Sequence, residues 1–153
     1  MDVATFAAVF VSLYVAHSVG DHWVQTSHQS ATKGEPGWVG RLADARHVAS
    51  LTATKLAVLL PVAWLLGLNL SLLGLVLGLG LDAVTHWWAD RRTTLARLAK
   101  ALGQSEFYGL GTPAHPLAPV TAEGKPAGTG AYALDQSFHH LWLLVASLII
   151  TTV

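Results

Sequence analysis

The chain has 153 residues, and its nine Lys and Arg balance its nine Asp and Glu, so no basic surface predicts a nucleic acid as partner. Apolar residues make up 52% of the chain and charged residues 12%, which with a mean hydropathy of +0.47 indicates a polytopic membrane protein rather than a soluble one. Because cysteine is absent, disulfides, thiolate metal sites and thiol nucleophiles are excluded, which leaves His, Asp and Glu as strong metal ligands.

Four apolar stretches each approach the roughly 20 residues that a helix needs to cross the hydrocarbon layer of a bilayer. Backbone in lipid must satisfy its own hydrogen bonds, and these stretches show no alternating polarity, so they predict helices. We therefore expect an all-α membrane protein, a four-helix bundle whose single transmembrane domain covers residues 1–153. The predicted spans are 3–20, 47–68, 70–89 and 132–153.

The first two spans each carry ionisable residues at one end. The first span lacks a basic leader and a small-residue cleavage pattern, which predicts a retained helix rather than a signal peptide. It ends with His17 and Asp21, four residues apart and therefore on one helix face. The second span opens at His47 and carries Lys55 two turns further in.

The third span repeats the pattern, with Asp82, His86 and Asp90 at every fourth residue on one face. Its other half contains Gly74 and Gly78, a small-xxx-small pair typical of close helix packing. The sequence leaves open whether that packing occurs within the subunit or in a homo-oligomer.

The segment between the third and fourth spans divides into two parts. Residues 93–102 place Leu at intervals of three and four between basic residues, which predicts a short helix on the membrane surface. Residues 103–130 are rich in Gly and Pro and predict a long loop, either a cover over the bundle or a plain connector. The fourth span then begins with Asp135 and His139, again four residues apart.

The distribution of Lys and Arg predicts the topology. The loops before the second span and before the fourth span carry the basic residues, whereas the termini and the hairpin around Asn69 carry no Lys or Arg. The positive-inside rule places the two long loops in the cytoplasm and both termini outside, in a bacterial plasma (inner) membrane.

Because successive helices run in opposite directions, the polar ends of all four spans should lie at one depth. An ionisable group in the middle of a membrane helix costs about 2.5–3.5 kcal/mol, so these groups must neutralise one another or hold a cation. A proton-sharing network that only joins the helices is the alternative, but the mixture of imidazoles and carboxylates favours a metal. The expected ligands are Asp21, His47, Asp90 and Asp135 in an outer layer, and His17, His86 and His139 one turn deeper.

Imidazole and carboxylate are common protein ligands of zinc, and they also bind iron and manganese. We therefore expect a divalent metal, zinc first, and the surplus of donors leaves room for one or two ions. Lys55 and Asp82 lie at equal estimated depth beneath this cluster, which predicts a buried ion pair between them.

Four sequence blocks carry a resemblance to known proteins. In chain order they are His17-x3-Asp21-x3-Gln25, His47, His86-x3-Asp90 and Asp135-Gln136-x2-His139. Together they resemble a family of small polytopic bacterial and phage membrane proteins that share a domain without an assigned function. Their His and Asp on membrane helices are also similar to those of inner-membrane metal-dependent hydrolases, which implies metal-assisted hydrolysis.

The leading hypothesis is a membrane metalloenzyme that hydrolyses a lipid or lipid-linked phosphate or ester at the cytoplasmic face. Asp90 or Asp135 would take the proton of a metal-bound water. One alternative is a cation or proton conduit or sensor that uses the same ligands, although the apolar outer halves of the spans disfavour a continuous path. The other is a membrane scaffold stapled by a fully protein-ligated metal.

Overall fold

The structure is a computed structural model that describes residues 2–111 and 130–153. These residues form helices joined by short connections, and no strand occurs among them. The helices are α1 (Val3–Val19), which continues as a π-helical turn (Gly20–Val24), α2 (Ser27–Thr32), α3 (Gly37–Leu66), α4 (Leu72–Asp90), α5 (Thr93–Ala101), α6 (Ser105–Gly109) and α7 (Gly130–Thr152).

Among the described residues, four helices are long and apolar enough to cross a membrane: Val3–Val24, Gly37–Leu66, Leu72–Asp90 and Gly130–Thr152. Large apolar side chains such as Val11, Trp64 and Leu73 face outward, whereas His47 and Lys55 are wholly buried. Apolar residues outside and ionisable residues inside reverse the arrangement of a soluble protein. This distribution indicates a membrane protein.

The second span begins ten residues earlier than the predicted start at His47. Pro36 precedes the helix in extended conformation, and Gly37 then begins α3 with a φ of +79°, a left-handed value that glycine adopts readily. The charged residues of 37–46 suggest a loop in the sequence, but Asp44 among them is fully buried. Residues 37–46 are therefore helical despite their charges, and His47 lies inside the helix rather than at its start.

The other spans differ from the predicted bounds by smaller amounts. The first continues from residue 20 to Val24 through the π-helical turn, which keeps Asp21 within a helical segment. A hairpin joins α3 to α4. Helix α3 ends at Gly67, whose φ of +63° is a left-handed value typical of a helix C-terminus. Helix α4 is capped at its start by the Ser71 hydroxyl, which accepts a hydrogen bond from Gly74 N at 2.8 Å.

Small residues bring α4 close to α7. A Cβ atom added to Gly78 would lie 2.8 Å from the Ala146 carbonyl oxygen, and one added to Gly74 would lie 2.9 Å from the Ile150 carbonyl oxygen. Both glycines therefore serve packing within the subunit. A second copy could use this face only by displacing α7.

An apolar cluster fills one half of the bundle, and the ionisable residues occupy the other. The apolar cluster includes Val9 of α1, Leu59 of α3, Leu79 of α4 and Leu143 of α7. Helix α5 forms in the region predicted for a surface helix, with Leu95 buried. Of the predicted loop 103–130, the structure describes α6 and its neighbours up to residue 111, while residues 112–129 lie outside the described part.

Candidate metal centre

The centre of the polar half is a pair of imidazoles from two helices. His47 of α3 and His86 of α4 face each other with their Nε2 atoms 3.1 Å apart, and both side chains are buried. Asp21 Oδ1 lies 3.1 Å from the His47 Nε2 atom and 3.7 Å from the His86 Nε2 atom. Asp90 Oδ2 lies 3.5 Å and 3.2 Å from the same two nitrogens.

Three at a time, these atoms have the spacing of metal ligands. A zinc ion with nitrogen and oxygen ligands at about 2.0–2.1 Å requires ligand atoms roughly 3.3–3.4 Å apart. The distances within the trio Asp21, His47 and His86, and within the trio His47, His86 and Asp90, run from 3.1 to 3.7 Å, which brackets that requirement. The side chains therefore converge on one point at a spacing that suits a small divalent cation.

The carboxylate atoms at this centre lack ordinary partners. Asp21 Oδ1 and Asp90 Oδ2 are buried and accept no well-directed hydrogen bond within the described part of the chain, although imidazole nitrogens lie close by. A buried carboxylate oxygen without a hydrogen bond is costly. Their geometry fits coordination better than it fits a network of shared protons.

A second group of donors lies beside the first. His139 Nε2 is 3.4 Å from Asp135 Oδ1 and 4.0 Å from Asp90 Oδ1, and the His86 and His139 rings stack with centroids 3.9 Å apart. His86, Asp90 and His139 can together present ligand atoms to one ion, as can Asp21, His47 and His86. The two groups share His86, so they overlap rather than form separate sites.

The two carboxylate oxygens of Asp21, and likewise those of Asp90, contact different groups. Asp21 Oδ2 lies 3.4 Å from His17 Nε2, while its Oδ1 faces His47. Asp90 Oδ1 lies 2.8 Å from Lys33 Nζ, while its Oδ2 faces the imidazole pair. Each carboxylate can therefore bridge the central point and a neighbouring group, and at Asp90 the neighbouring cation in this structure is the Lys33 ammonium.

His47 contacts Asp21 and Asp90, which share its predicted outer layer, and it also meets His86 of the predicted deeper layer. The two predicted layers are therefore in direct contact at His47. The structure brings together His17, Asp21, His86, Asp90 and His139 as described above. Asp135 lies at the edge, with a quarter of its side chain exposed.

A cavity of about 460 Å³ opens directly over the carboxylate side of this centre. Asp21, Asp90 and Asp135 form part of its wall, whereas the four clustered imidazoles lie behind them. Gln136 Nε2, also on this wall, donates to Asp21 Oδ2 at 3.3 Å. Small molecules could therefore reach a bound ion past the carboxylates.

Two tyrosines, Tyr108 and Tyr132, complete the upper wall. Burial, and then the nearby Asp135 carboxylate, raises the pKa of the Tyr108 hydroxyl above its usual value. Tyr108 therefore keeps its proton at neutral pH and can donate a hydrogen bond into the cavity.

Deeper in the bundle, Lys55 Nζ donates to Asp82 Oδ2, and both side chains are buried. This is the pair that their equal estimated depth predicts. It lies below the imidazole pair, where the apolar cluster begins.

Sequence reasoning missed Lys33, Asp44, Arg91 and Arg92, because they fall in a region predicted as loop or just beyond a span. Arg91 donates to the backbone carbonyls of Lys33 and Glu35, and its Nη1 lies 3.7 Å from Asp44 Oδ2. A signal for Asp44 was present. The buried stripe of α3 at His47, Leu51 and every fourth residue after them continues backward to Asp44 and Gly40.

Comparison with protein-family models, with curated proteins and with solved structures returns no match for this chain. The resemblance to a membrane-protein family stays a prediction from the four sequence blocks.

Proposed function

We propose that the protein binds a divalent metal ion inside its transmembrane bundle and uses it to hydrolyse a lipid or lipid-linked substrate. The observation that carries the proposal is that Asp21 and Asp90 both approach the buried His47–His86 pair, from three helical segments, at the spacing of metal ligands. Bringing two carboxylates and two imidazoles together in a bundle core is unfavourable unless a cation compensates them. Asp21, His47, His86 and Asp90 would hold the ion, which would offset that cost and link the three helical segments.

Zinc is the first candidate for the ion, because imidazole and carboxylate donors at this spacing suit it. Iron and manganese accept the same donors and commonly take a larger number of ligands. A second ion would find donors in His139 Nε2 and Asp90 Oδ1, which lie 4.0 Å apart, whereas His17 faces the other carboxylate, Asp21. It would have to displace Lys33 from Asp90 Oδ1.

A bound divalent ion supplies hydrolytic chemistry by lowering the pKa of a coordinated water to about 7. Of the two carboxylates proposed as proton acceptor, Asp135 suits the role better. Asp90 already contacts His47, His86 and Lys33, whereas Asp135 stands on the cavity wall and is partly exposed. Asp90 then acts as ligand and Asp135 as base.

The membrane setting suggests the substrate. We place the cavity at the cytoplasmic face of a bacterial plasma membrane, with both termini outside, because the segments around it carry most of the Lys and Arg. Helix α5, with buried Leu95 and exposed Arg97 and Lys100, fits a position along the membrane surface. A lipid headgroup would then lie level with the cavity mouth.

Metal analysis tests the proposal. Detergent-purified protein should contain about one or two equivalents of a divalent metal by elemental analysis, and His86→Ala should lose it, because His86 belongs to both ligand groups. His28→Ala is the matched control, since His28 is exposed on α2 outside the cluster. Undiminished metal in His86→Ala, or an absence of metal in the unaltered protein, would contradict the proposal.

A metal-stapled scaffold is the second candidate, and one observation favours it: the two imidazoles and two carboxylates around the His47–His86 pair are enough in number to fill a structural zinc site without water. X-ray absorption spectroscopy separates the two, because a hydrolase requires at least one water ligand. The conduit hypothesis has less support, since Leu13, Leu59 and Leu143 close the bundle beyond Asp82. Cation flux in proteoliposomes that disappears in Asp82→Asn would restore it.

A further inference from the structure

The cavity over the metal centre has an uneven distribution of charge. Its floor carries the carboxylates of Asp21, Asp90 and Asp135, and its lining also includes two cations, Lys33 beside Asp90 and Arg92. The three acids outnumber the two bases, so the empty cavity has negative formal charge. One divalent ion at the floor would reverse that sign and make the cavity attractive to an anion.

Arg92 is held at the cavity mouth by three separate features. Its backbone has a φ of +56°, a value that residues other than glycine rarely adopt. Its Nη2 donates to the Ser30 carbonyl at 2.8 Å. Its side-chain stem crosses Gly34 so closely that a Cβ atom there would lie 2.6 Å from Arg92 Cδ. A strained backbone that the surroundings enforce is common where a side chain has a functional position.

Lys33 connects this mouth to the metal centre. Its Nζ atom lies 2.8 Å from Asp90 Oδ1, and only 13% of its side chain is exposed. A ligand oxygen near Lys33 would therefore lie next to a carboxylate of the proposed metal site. The two cations mark a route from the cavity mouth to its floor.

Neutral donors add to the cations. The Gln25 amide nitrogen, on the cavity wall, is buried and has no hydrogen-bond partner among the described residues. Tyr108 provides a hydroxyl on the same wall. An occupant with several acceptor oxygens would satisfy the amide, and a phosphate group offers such oxygens.

We propose that the cavity binds the phosphate group of a phosphomonoester, with Arg92 and Lys33 as its cationic contacts and Gln25 as a neutral donor. This inference rests on the proposed metal function. Of the substrates proposed there, a lipid or lipid-linked phosphate or ester, it selects one that carries a phosphate group. The guanidinium of Arg92 suits bidentate contact with phosphate oxygens, and the Lys33 ammonium directs the group toward the floor.

The test measures binding rather than turnover. Inorganic phosphate is titrated into metal-loaded protein in detergent and followed by calorimetry, with the metal-free protein in parallel. We expect binding that requires the metal and that weakens about tenfold in Arg92→Gln, the size of one lost charge-assisted contact. Arg97→Gln is the matched control, because this substitution removes the same charge from an exposed position on α5 outside the cavity.

Two sources of phosphate are distinguished by parallel titrations. Glycerol 3-phosphate serves as the soluble phosphomonoester, and phosphatidic acid in phosphatidylcholine nanodiscs serves as the lipid. Arg92-dependent binding of either supports the site, and the tighter ligand identifies the source.

The possible failures are separable. A metal-loaded protein whose phosphate affinity is the same in Arg92→Gln and in Arg97→Gln overturns the phosphate site and leaves the metal function standing. A protein that binds no metal overturns the proposed function and this inference with it. Metal content is measured for every variant, so a loss of phosphate binding through a damaged metal centre is recognised.

Discussion

Lys55 and Asp82 form an ion pair between α3 and α4, with 0% and 4% of their side chains exposed. The pair lies where the imidazole cluster gives way to the apolar half of the bundle. Removing one member of a buried pair leaves an uncompensated charge, whereas replacing both with apolar residues removes the problem. The two positions therefore offer a test of how the bundle tolerates charge.

We expect Lys55→Met to lower the free energy of unfolding by about 3–5 kcal/mol, because Asp82 would remain buried without its partner. The double variant Lys55→Met/Asp82→Leu should regain most of that loss. Denaturation in mixed detergent micelles, followed by circular dichroism, provides the measurement. If the double variant were as unstable as the single one, the pair would have a role beyond charge compensation.

The overlap of the two ligand groups predicts an order among the histidine variants. His139→Ala removes a donor from one group only, so the centre at Asp21, His47 and His86 should still bind one ion. His47→Ala should weaken that centre directly. Metal titration with a fluorescent chelator as competitor would show the order. Equal loss of affinity in His139→Ala and His47→Ala would indicate that the main ion lies nearer to His139 than the ligand spacing suggests.

Gly78 and Gly80 allow a matched test of the contact between α4 and α7. We expect Gly78→Ala to destabilise the protein by about 1–3 kcal/mol, because the added methyl would lie 2.5 Å from Ile150 Cγ1 and overpack the interface. Gly80→Ala adds the same methyl where no atom lies within 4 Å. The midpoint of thermal unfolding in detergent should fall for the first variant and stay or rise for the second. Equal midpoints would mean that α7 shifts to accept the methyl.

The sequence predicted the four long helices and the gathering of their polar ends, because hydrophobic length and four-residue spacing are local properties. It placed the start of α3 at His47 because 37–46 contains Arg41, Asp44 and Arg46, which read as loop. The choice of helix there depends on tertiary contacts, in particular on the Arg91 side chain beside Asp44. A charge that finds its partner in a distant helix cannot be recognised from its neighbours in the chain.

Arg91 should be the main stabilising residue of this region. It contacts Asp44, donates to the carbonyls of Lys33 and Glu35, and lies over the Trp87 ring at 5.9 Å. Arg91→Ala would remove one of the two cations near the buried Asp44 carboxylate, the other being Lys33, together with the hydrogen bonds to the Lys33 and Glu35 carbonyls, at a cost of about 1–3 kcal/mol. Arg91→Ala/Asp44→Ala should recover part of the loss when unfolding is measured in detergent. If Arg91→Ala left the free energy of unfolding unchanged, other contacts would hold the α2–α3 segment in place.

Asp135 differs from the metal ligands in a way that activity can reveal. It stands on the cavity wall at 3.4 Å from His139 Nε2, and it lies outside both groups that can present three ligand atoms to an ion. If it accepts the proton of the attacking water, Asp135→Asn should lower the turnover of a metal-loaded phosphomonoesterase by about 10²–10⁴. The metal content should remain unchanged, because the amide keeps the shape of the side chain. Para-nitrophenyl phosphate serves as the substrate. Full turnover in Asp135→Asn would remove Asp135 from the mechanism, whereas loss of metal would make it a ligand.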